Sequence, residues 1–309
     1  MRVWASLICH SQEPYLKSVI ENLYGLVDRI VVAEGSVREF WGEPWTDYTR
    51  EALREVDKDR KVMYSFLGNV KSKESLTEHN LRVVSENGDE GDWLIAMGAD
   101  EAWRPSAVKY LRSLPEDIIW VGIPMDDFVG DFRHLRKKRY ADIPPDGQQA
   151  FYDKNGMWMV NGNYHERAFR IKRGLSYFDN HTAIRDNEGR YVYADPYYAG
   201  KRLLVPQSDP EIRWVHYGWV GCSEWLSRKA GYYAMRSGAT DIKESVRNDR
   251  RYAYAMSGNP EVFDEKVYEI LDVDSGYCHP HPFDKHPYAK MTREEIFKSK
   301  PLGDLRSLP

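Results

Sequence analysis

Gly91-Asp92-Trp93-Leu94-Ile95-Ala96-Met97-Gly98-Ala99-Asp100-Glu101 is the stretch on which the fold turns. Trp93 to Met97 is an apolar run bounded by Gly and Asp, the pattern of a buried strand. It stops abruptly at two acids. In open α/β sheets, ligands bind just outside the carboxyl ends of the strands, where Asp100 and Glu101 fall. Two carboxylates there can hold a hard divalent cation against a phosphate.

Outward from this strand the chain alternates. Residues 3–8 and 29–33 are apolar strands. Between them, Leu16, Val19, Ile20, Leu23 and Val27 recur at helical spacing over 14–26, with Pro14 suited to a first helical position. A strand–helix–strand unit of this kind implies parallel strands and a right-handed crossover. Residues 46–56 read as a helix and 61–66 as a strand. Ser75-x-x-Glu78 has the form of a capping box opening a helix to Asn87. After the strand at 92–97, Pro105 opens a short helix to Leu111, and 118–123 is a strand ended by Pro124. The expected fold class is α/β: a Rossmann-like, mostly parallel sheet flanked by helices.

Beyond residue 125 the regularity fails. Residues 126–165 carry Pro144-Pro145 and no clear period, as binding loops often do. The basic run 133–139 within them reads as a solvated loop. Strands are expected at 166–171, 191–194 and 212–215. Helices are expected at 223–236, 241–256 and 260–271, followed by a surface tail. We therefore expect a catalytic domain over 1–220 and a C-terminal helical extension over 221–309.

Composition narrows the class of function. Of 309 residues, 30% are charged and 42% hydrophobic, with net charge −4. This offers no general basic face for nucleic acid. Three cysteines without a CxxC argue against a disulfide framework or structural zinc, and fit a reducing cytoplasm. No run reaches the ~20 apolar residues of a spanning helix, and the N-terminus lacks a secretory pattern.

Several polar clusters follow strand ends in a recognisable order. Cys9-His10-Ser11-Gln12-Glu13 follows the first strand, and Glu34-Gly35-Ser36 the second. His79-Asn80 sits on a helix. Gly91-Asp92-Trp93 leads to Gly98-Ala99-Asp100-Glu101. Phe169-Arg170, Gly174 to Tyr177 and His181 come next, then His216-Tyr217-Gly218 and Lys229. This order resembles the family 2-like nucleotide-sugar glycosyltransferases with the GT-A fold, over about residues 1–235. One departure stands out: where the family has Asp at both ends of an Asp-x-Asp motif, this chain has Gly98 and then Asp100.

The resemblance implies transfer of a sugar from a nucleoside-diphosphate carrier such as UDP to a hydroxyl on a glycan, lipid-linked or protein acceptor, with inversion. It implies a divalent ion, manganese before magnesium, held by Asp100, Glu101 and His216. His10, Glu13, Glu34, His79, Asn80, Asp100 and Lys229 would line the nucleotide-sugar cleft, with Arg228 and Lys229 near the diphosphate. A general base on the acceptor hydroxyl is expected among the acids after the fifth strand or before the sixth, with Asp127 and Glu166 the candidates. Each residue also has a plainer role. Asp100 and Glu101 could favour the start of the helix near Pro105, Glu34 could shape a turn, and His216 could be a hydrogen-bonded core histidine. A non-catalytic nucleotide-sugar or glycan-binding protein on the same fold is the alternative. A metal-dependent hydrolase built on His279, His281 and His286 is a third reading, since His-rich tracts can bind metal.

Overall fold

The computed structural model describes residues 1–9, 15–37, 49–138, 151–152, 158–159, 164–174, 176–179, 183–190, 202–205, 209–236, 238–263, 268–273 and 277–300. The chain divides into two compact units: residues 1–125 with 140–214, and residues 126–139 with 215–309. The sequence alone had suggested one boundary, at 220–221.

The first unit is a mixed α/β layer structure with a mostly parallel sheet flanked by helices. Its elements begin with β1 (Val3–Cys9), α1 (Leu16–Tyr24), β2 (Arg29–Val37), α2 (Thr49–Val56), β3 (Val62–Val70) and α3 (Lys73–Asn87). They continue with β4 (Trp93–Gly98), β5 (Glu101–Trp103), α4 (Pro105–Ser113) and β6 (Trp120–Val129), whose second half belongs to the other unit together with β7 (His134–Lys138). Two short strands, β8 (Phe151–Tyr152) and β9 (Trp158–Met159), pair with each other. β10 (Tyr164–Arg170), the hairpin β11 (Ser176–Asp179) and β12 (Ala183–Arg185), and β13 (Arg202–Leu204) complete the unit.

The sheet order is β6-β10-β4-β1-β2-β3, with β13 parallel to β6. β3, β2, β1 and β4 are parallel neighbours, and β10 runs antiparallel between β4 and β6. All seven residues of β1 are buried, as a strand covered on both faces requires. On α1, Leu16, Val19, Ile20 and Leu23 form the buried stripe. Trp4, Val31, Leu81, Val84, Leu94 and Phe169 pack in one core cluster.

Gly91-Asp92-Trp93 anchors the start of β4. Gly91 has φ +88°, a left-handed turn conformation that favours glycine. Asp92, 2% exposed, accepts from the Arg2 amide at 2.7 Å, the Trp4 indole at 3.1 Å and the Asp89 amide at 3.2 Å. Burial pushes the Asp92 pKa up, yet these donors and the Arg2 charge hold it below the usual carboxylate value. This aspartate is therefore a structural tie between β1 and β4.

Two expectations for this unit change. α3 starts at Lys73 after Ser72, so Ser75 and Glu78 lie inside the helix and do not cap it. β6 runs through Pro124 to Val129. Proline lacks an N–H and suits the end of a ladder; Pro124 is the outermost position paired with β10, opposite Tyr164.

The second unit adds β14 (Trp214–Trp219), α5 (Ser223–Arg236), α6 (Ile242–Asn248), α7 (Arg250–Ser257), β15 (Tyr268–Asp272) and α8 (Arg293–Lys298). The basic run forms β7, not a loop, with Asp127 of β6 opposite Arg136. β15 pairs antiparallel with β7, from Tyr268 opposite Lys138 to Asp272 opposite His134. The helix expected over 260–271 is replaced by one 3-10 turn, Pro260–Val262, and this strand. The single helix expected over 241–256 is two, because Asp249 caps the start of α7 through the Arg251 and Tyr252 amides. The expected surface tail instead fills the core, with Phe283, Tyr288 and Ile296 all 0% exposed. Among the described residues, no helix is long and apolar enough to cross a membrane.

Candidate functional site

In the first unit, the carboxylates flank the carboxyl end of β1. Glu34 on β2 sits opposite Cys9 of β1, and Ile8 of β1 sits opposite Gly98 of β4. With neighbouring strands ~4.8 Å apart, Glu34 and Gly98 are about 10 Å apart across the end of β1. Asp100 and Glu101 follow directly and are buried at 7% and 2% exposure.

Gly98 explains how those two acids are arranged. A Cβ built on Gly98 would lie 2.7 Å from Asp100 Oδ1 and 3.4 Å from Glu101 Oε1. Both carboxylates thus converge on the corner where a first motif aspartate would begin its side chain. The glycine leaves room for the Asp100 carboxylate to fold back over the strand end.

Glu101 is committed to a cation. Its Oε1 accepts from Arg167 Nη2 at 2.6 Å, and both side chains are buried. Arg167 lies on β10 at a bulge, where the pairing with β6 shifts between Glu166 and Ala168. A bulge re-aims the side chain of its extra residue. The Arg167 guanidinium also lies 5.3 Å from the Trp214 ring centre. Its Nε and Nη1 are buried and have no hydrogen-bond partner. Each such unmet donor costs about 1–3 kcal/mol.

Glu34, 5% exposed, accepts a hydrogen bond on Oε2 from the Tyr64 hydroxyl. Burial, reinforced by the neighbouring Glu34, pushes the Tyr64 pKa up. Arg50 Nε donates to the same hydroxyl at 3.4 Å, and its guanidinium lies 5.4 Å from the ring of half-exposed Phe66. Arg50, Leu53, Arg54, Val62 and Tyr64 line a groove of about 490 Å³.

His79 and Asn80 take separate roles on α3. Asn80, 0% exposed, donates through Nδ2 to the Leu7 carbonyl at 2.9 Å, which ties α3 to β1. His79 Nδ1 lies 3.1 Å from Arg82 Nη2, which can only donate, so Nε2 carries the ring proton. Burial first, and then the Arg82 charge, lower the His79 pKa. His10 and Glu13 lie outside the described residues. Glu166 is placed on β10 opposite Gly122, with its side chain outside the description.

The second unit brings Asp127 and His216 together. Asp127 is 1% exposed. Its Oδ2 accepts from Arg136 Nε at 2.8 Å and from Arg136 Nη2, and its Oδ1 meets His216 Nδ1 at 2.7 Å. Burial alone would raise the Asp127 pKa, but Arg136 and His216 hold it far below the carboxylate range. An ionised carboxylate only accepts, so His216 Nδ1 carries the proton of this bond. Arg136 is braced by Tyr268, whose ring centre lies 5.0 Å away. The adjacent Asp126 accepts from the Tyr277 hydroxyl at 2.7 Å. Lys229 lies over the rings of Trp225 and Trp219, at 5.0 and 5.4 Å.

In the first unit the fit to a divalent ion is poor: Gly98 supplies no ligand and Glu101 is paired with Arg167. In the second unit, the His216 Nδ1 bond to Asp127 is of the kind that orients metal-bound histidines and does not count against one. Among the described residues, no three His, Cys, Asp or Glu side chains are grouped to hold a metal. Two of the C-terminal histidines, His279 and His286, make structural contacts, and His281 is exposed beside Asp284. His279 Nδ1 meets the Tyr217 hydroxyl at 2.8 Å, its Nε2 meets the Phe132 carbonyl at 3.0 Å, and His286 Nδ1 accepts from the Tyr288 amide.

Sequence reasoning missed Arg167, Arg136 and Tyr64. A charged residue placed among Ala168, Phe169 and Ile171 was the available signal for Arg167. For Arg136 the run offered none, since Leu135 is its one apolar residue.

No protein-family model and no curated protein matches the chain. Among solved structures, the chain is similar to residues 1–349 of TarS from S. aureus. The identity is 11% and the TM-score 0.41, covering 84% of this chain and 76% of that one. Against the longer TarS structure the values are 10%, 0.39, 84% and 46%. Mannose-6-phosphate isomerase from Helicobacter pylori aligns at 16% identity and TM-score 0.29, over 43% of this chain and 55% of that one. At TM-scores below 0.5 these likenesses carry no functional argument.

Proposed function

We propose that this chain transfers a sugar from a nucleoside-diphosphate-sugar donor to a hydroxyl acceptor. One observation carries the reading: Glu34 on β2 stands opposite the last residue of β1, and Asp100 and Glu101 follow the end of β4 on the other side of β1. That edge is where this topology binds ligands. In such a transfer the bond from the anomeric carbon to the β-phosphate oxygen breaks, and the sugar becomes oxocarbenium-like. Glu34 is suited to accept hydrogen bonds from a ribose or base, and Asp100 from donor hydroxyls. Glu101, one of the residues expected to hold manganese, is paired with Arg167, and no step is assigned to a metal.

The proton of the acceptor hydroxyl needs a base. Asp127 is a weak choice, since Arg136 and His216 already satisfy it. It serves better as the carboxylate that orients His216. Within the first unit, Glu166 on β10 is the candidate for proton removal. Inversion is carried over from the resemblance.

The test is a thermal-shift screen of nucleoside diphosphates and their sugars in EDTA and in manganese, followed by assay of nucleotide release. A carrier that binds the native protein raises its melting point by mass action. Release with one donor is expected; no shift with any carrier overturns the proposal. A non-catalytic binding protein is the second reading, favoured by Gly98 and by the saturation of Asp127. A shift without release or transfer would select it.

A further inference from the structure

We propose that Arg167 is an anion-binding residue at the mouth of β4, taking a phosphate-like group where the resemblance implied manganese. The inference deepens the transferase reading and rests on it for the identity of the anion, the donor diphosphate. Three observations meet at one corner. Gly98 removes the first motif acid, and the Asp100 carboxylate occupies the space its Cβ would need. The next acid, Glu101, is neutralised by Arg167 Nη2 at 2.6 Å, so its charge is not available to a cation. Arg167, 7% exposed, keeps Nε and Nη1 buried without partners.

A guanidinium that served only to pair with Glu101 would have no use for a bulge that re-aims it or for unmet donors. With one face against Trp214, its free donors lie along its edge. Guanidinium edges match phosphate oxygens well. These donors are fixed in place by the Glu101 pairing and the Trp214 ring, so an anion that reaches them meets dipoles already oriented, the arrangement that stabilises developing charge most strongly. Reaching them requires local opening, since both nitrogens are closed to solvent. Asp100 then accepts from hydroxyls, and the fixed cation meets the charge that builds on the leaving diphosphate.

The probe is inorganic pyrophosphate, titrated by calorimetry in EDTA into the full chain. Wild-type protein is expected to bind without metal. Arg167→Lys, which keeps a charge for Glu101 but loses the planar donors, is expected to bind at least tenfold more weakly. Gly98→Asp, which forces Asp100 aside, is expected to weaken binding in EDTA and to make it respond to manganese. As a readout independent of the variant's folding, the Arg167 Nε–H resonance of wild-type protein is followed in the same titration, and it should shift. Equal affinity of Arg167→Lys, a wild-type requirement for manganese, or an unmoved Nε–H resonance each overturns the inference. Pyrophosphate binding through Arg167 with no nucleotide sugar turned over would sink the transferase reading and leave this one standing. Sugar transfer at wild-type rate by Arg167→Lys would do the reverse.

Discussion

Each unit of this protein buries an acid against an arginine, and the two pairs are finished differently. In the second unit Asp127 is saturated: Arg136 holds one oxygen and His216 the other. In the first unit Arg167 gives one nitrogen to Glu101 and leaves two without partners. A saturated buried pair is a brace, and removing one partner strands the others. An unsaturated one is held at a cost that packing alone does not explain, and the unmet groups mark where a ligand belongs. The contrast separates acids that build the protein from acids that meet a substrate.

The sharpest way to break the contrast is Asp127→Ala. It leaves Arg136 buried without its carboxylate, so unfolding in urea should show a loss of about 4 kcal/mol. A loss below about 1 kcal/mol would mean the brace is no brace. Asp100→Asn should do the opposite, with a melting point close to wild type and nucleotide release reduced about 100-fold. If stability falls and turnover does not, Asp100 belongs with the braces.

Acid titration sharpens the same distinction. The folded pKa values of Asp127 and Asp92 lie below their unfolded values. Their stabilisation is therefore complete above the unfolded carboxylate value of about 3.9 and is lost as pH falls below it. Asp92→Asn should flatten the stability curve in that acid range and leave the neutral-pH rate unchanged. The smallest effect is expected from Gly98→Ala. The colliding atom is the end of the Asp100 side chain, which can rotate, so stability should change by less than about 1 kcal/mol. Donor affinity should fall, because the Asp100 carboxylate is displaced from its corner.

Periodicity made the first half of the fold legible. Apart from the three-residue β5, the strands and helices up to residue 118 lie within a few residues of expectation, separated by clear turns. The second half hid its strands. β7 is a strand made largely of cations, paired between β6 and β15, and a hydrophobicity pattern cannot reveal such an element. β15 has five residues, too few for periodicity alone to tell a strand from the helix expected over 260–271. At the site, the sequence could point to acids at strand ends, because burial and position are local properties. It could not show that Glu101 and Asp127 would each be claimed by an arginine 66 and 9 residues away. Long-range pairing decides which acids retain chemistry, and a single sequence does not encode it in any local pattern.

The buried end of the chain has a practical consequence. Phe283 stacks on Tyr217 with ring centres 4.5 Å apart, and His286 stacks on Phe132 at 5.6 Å. Cutting the chain near residue 275 would thus pull the floor from beneath β14, the strand that carries His216. An inactive truncate of that kind would report a collapsed scaffold, and it would say nothing about whether its missing histidines ever touched a substrate.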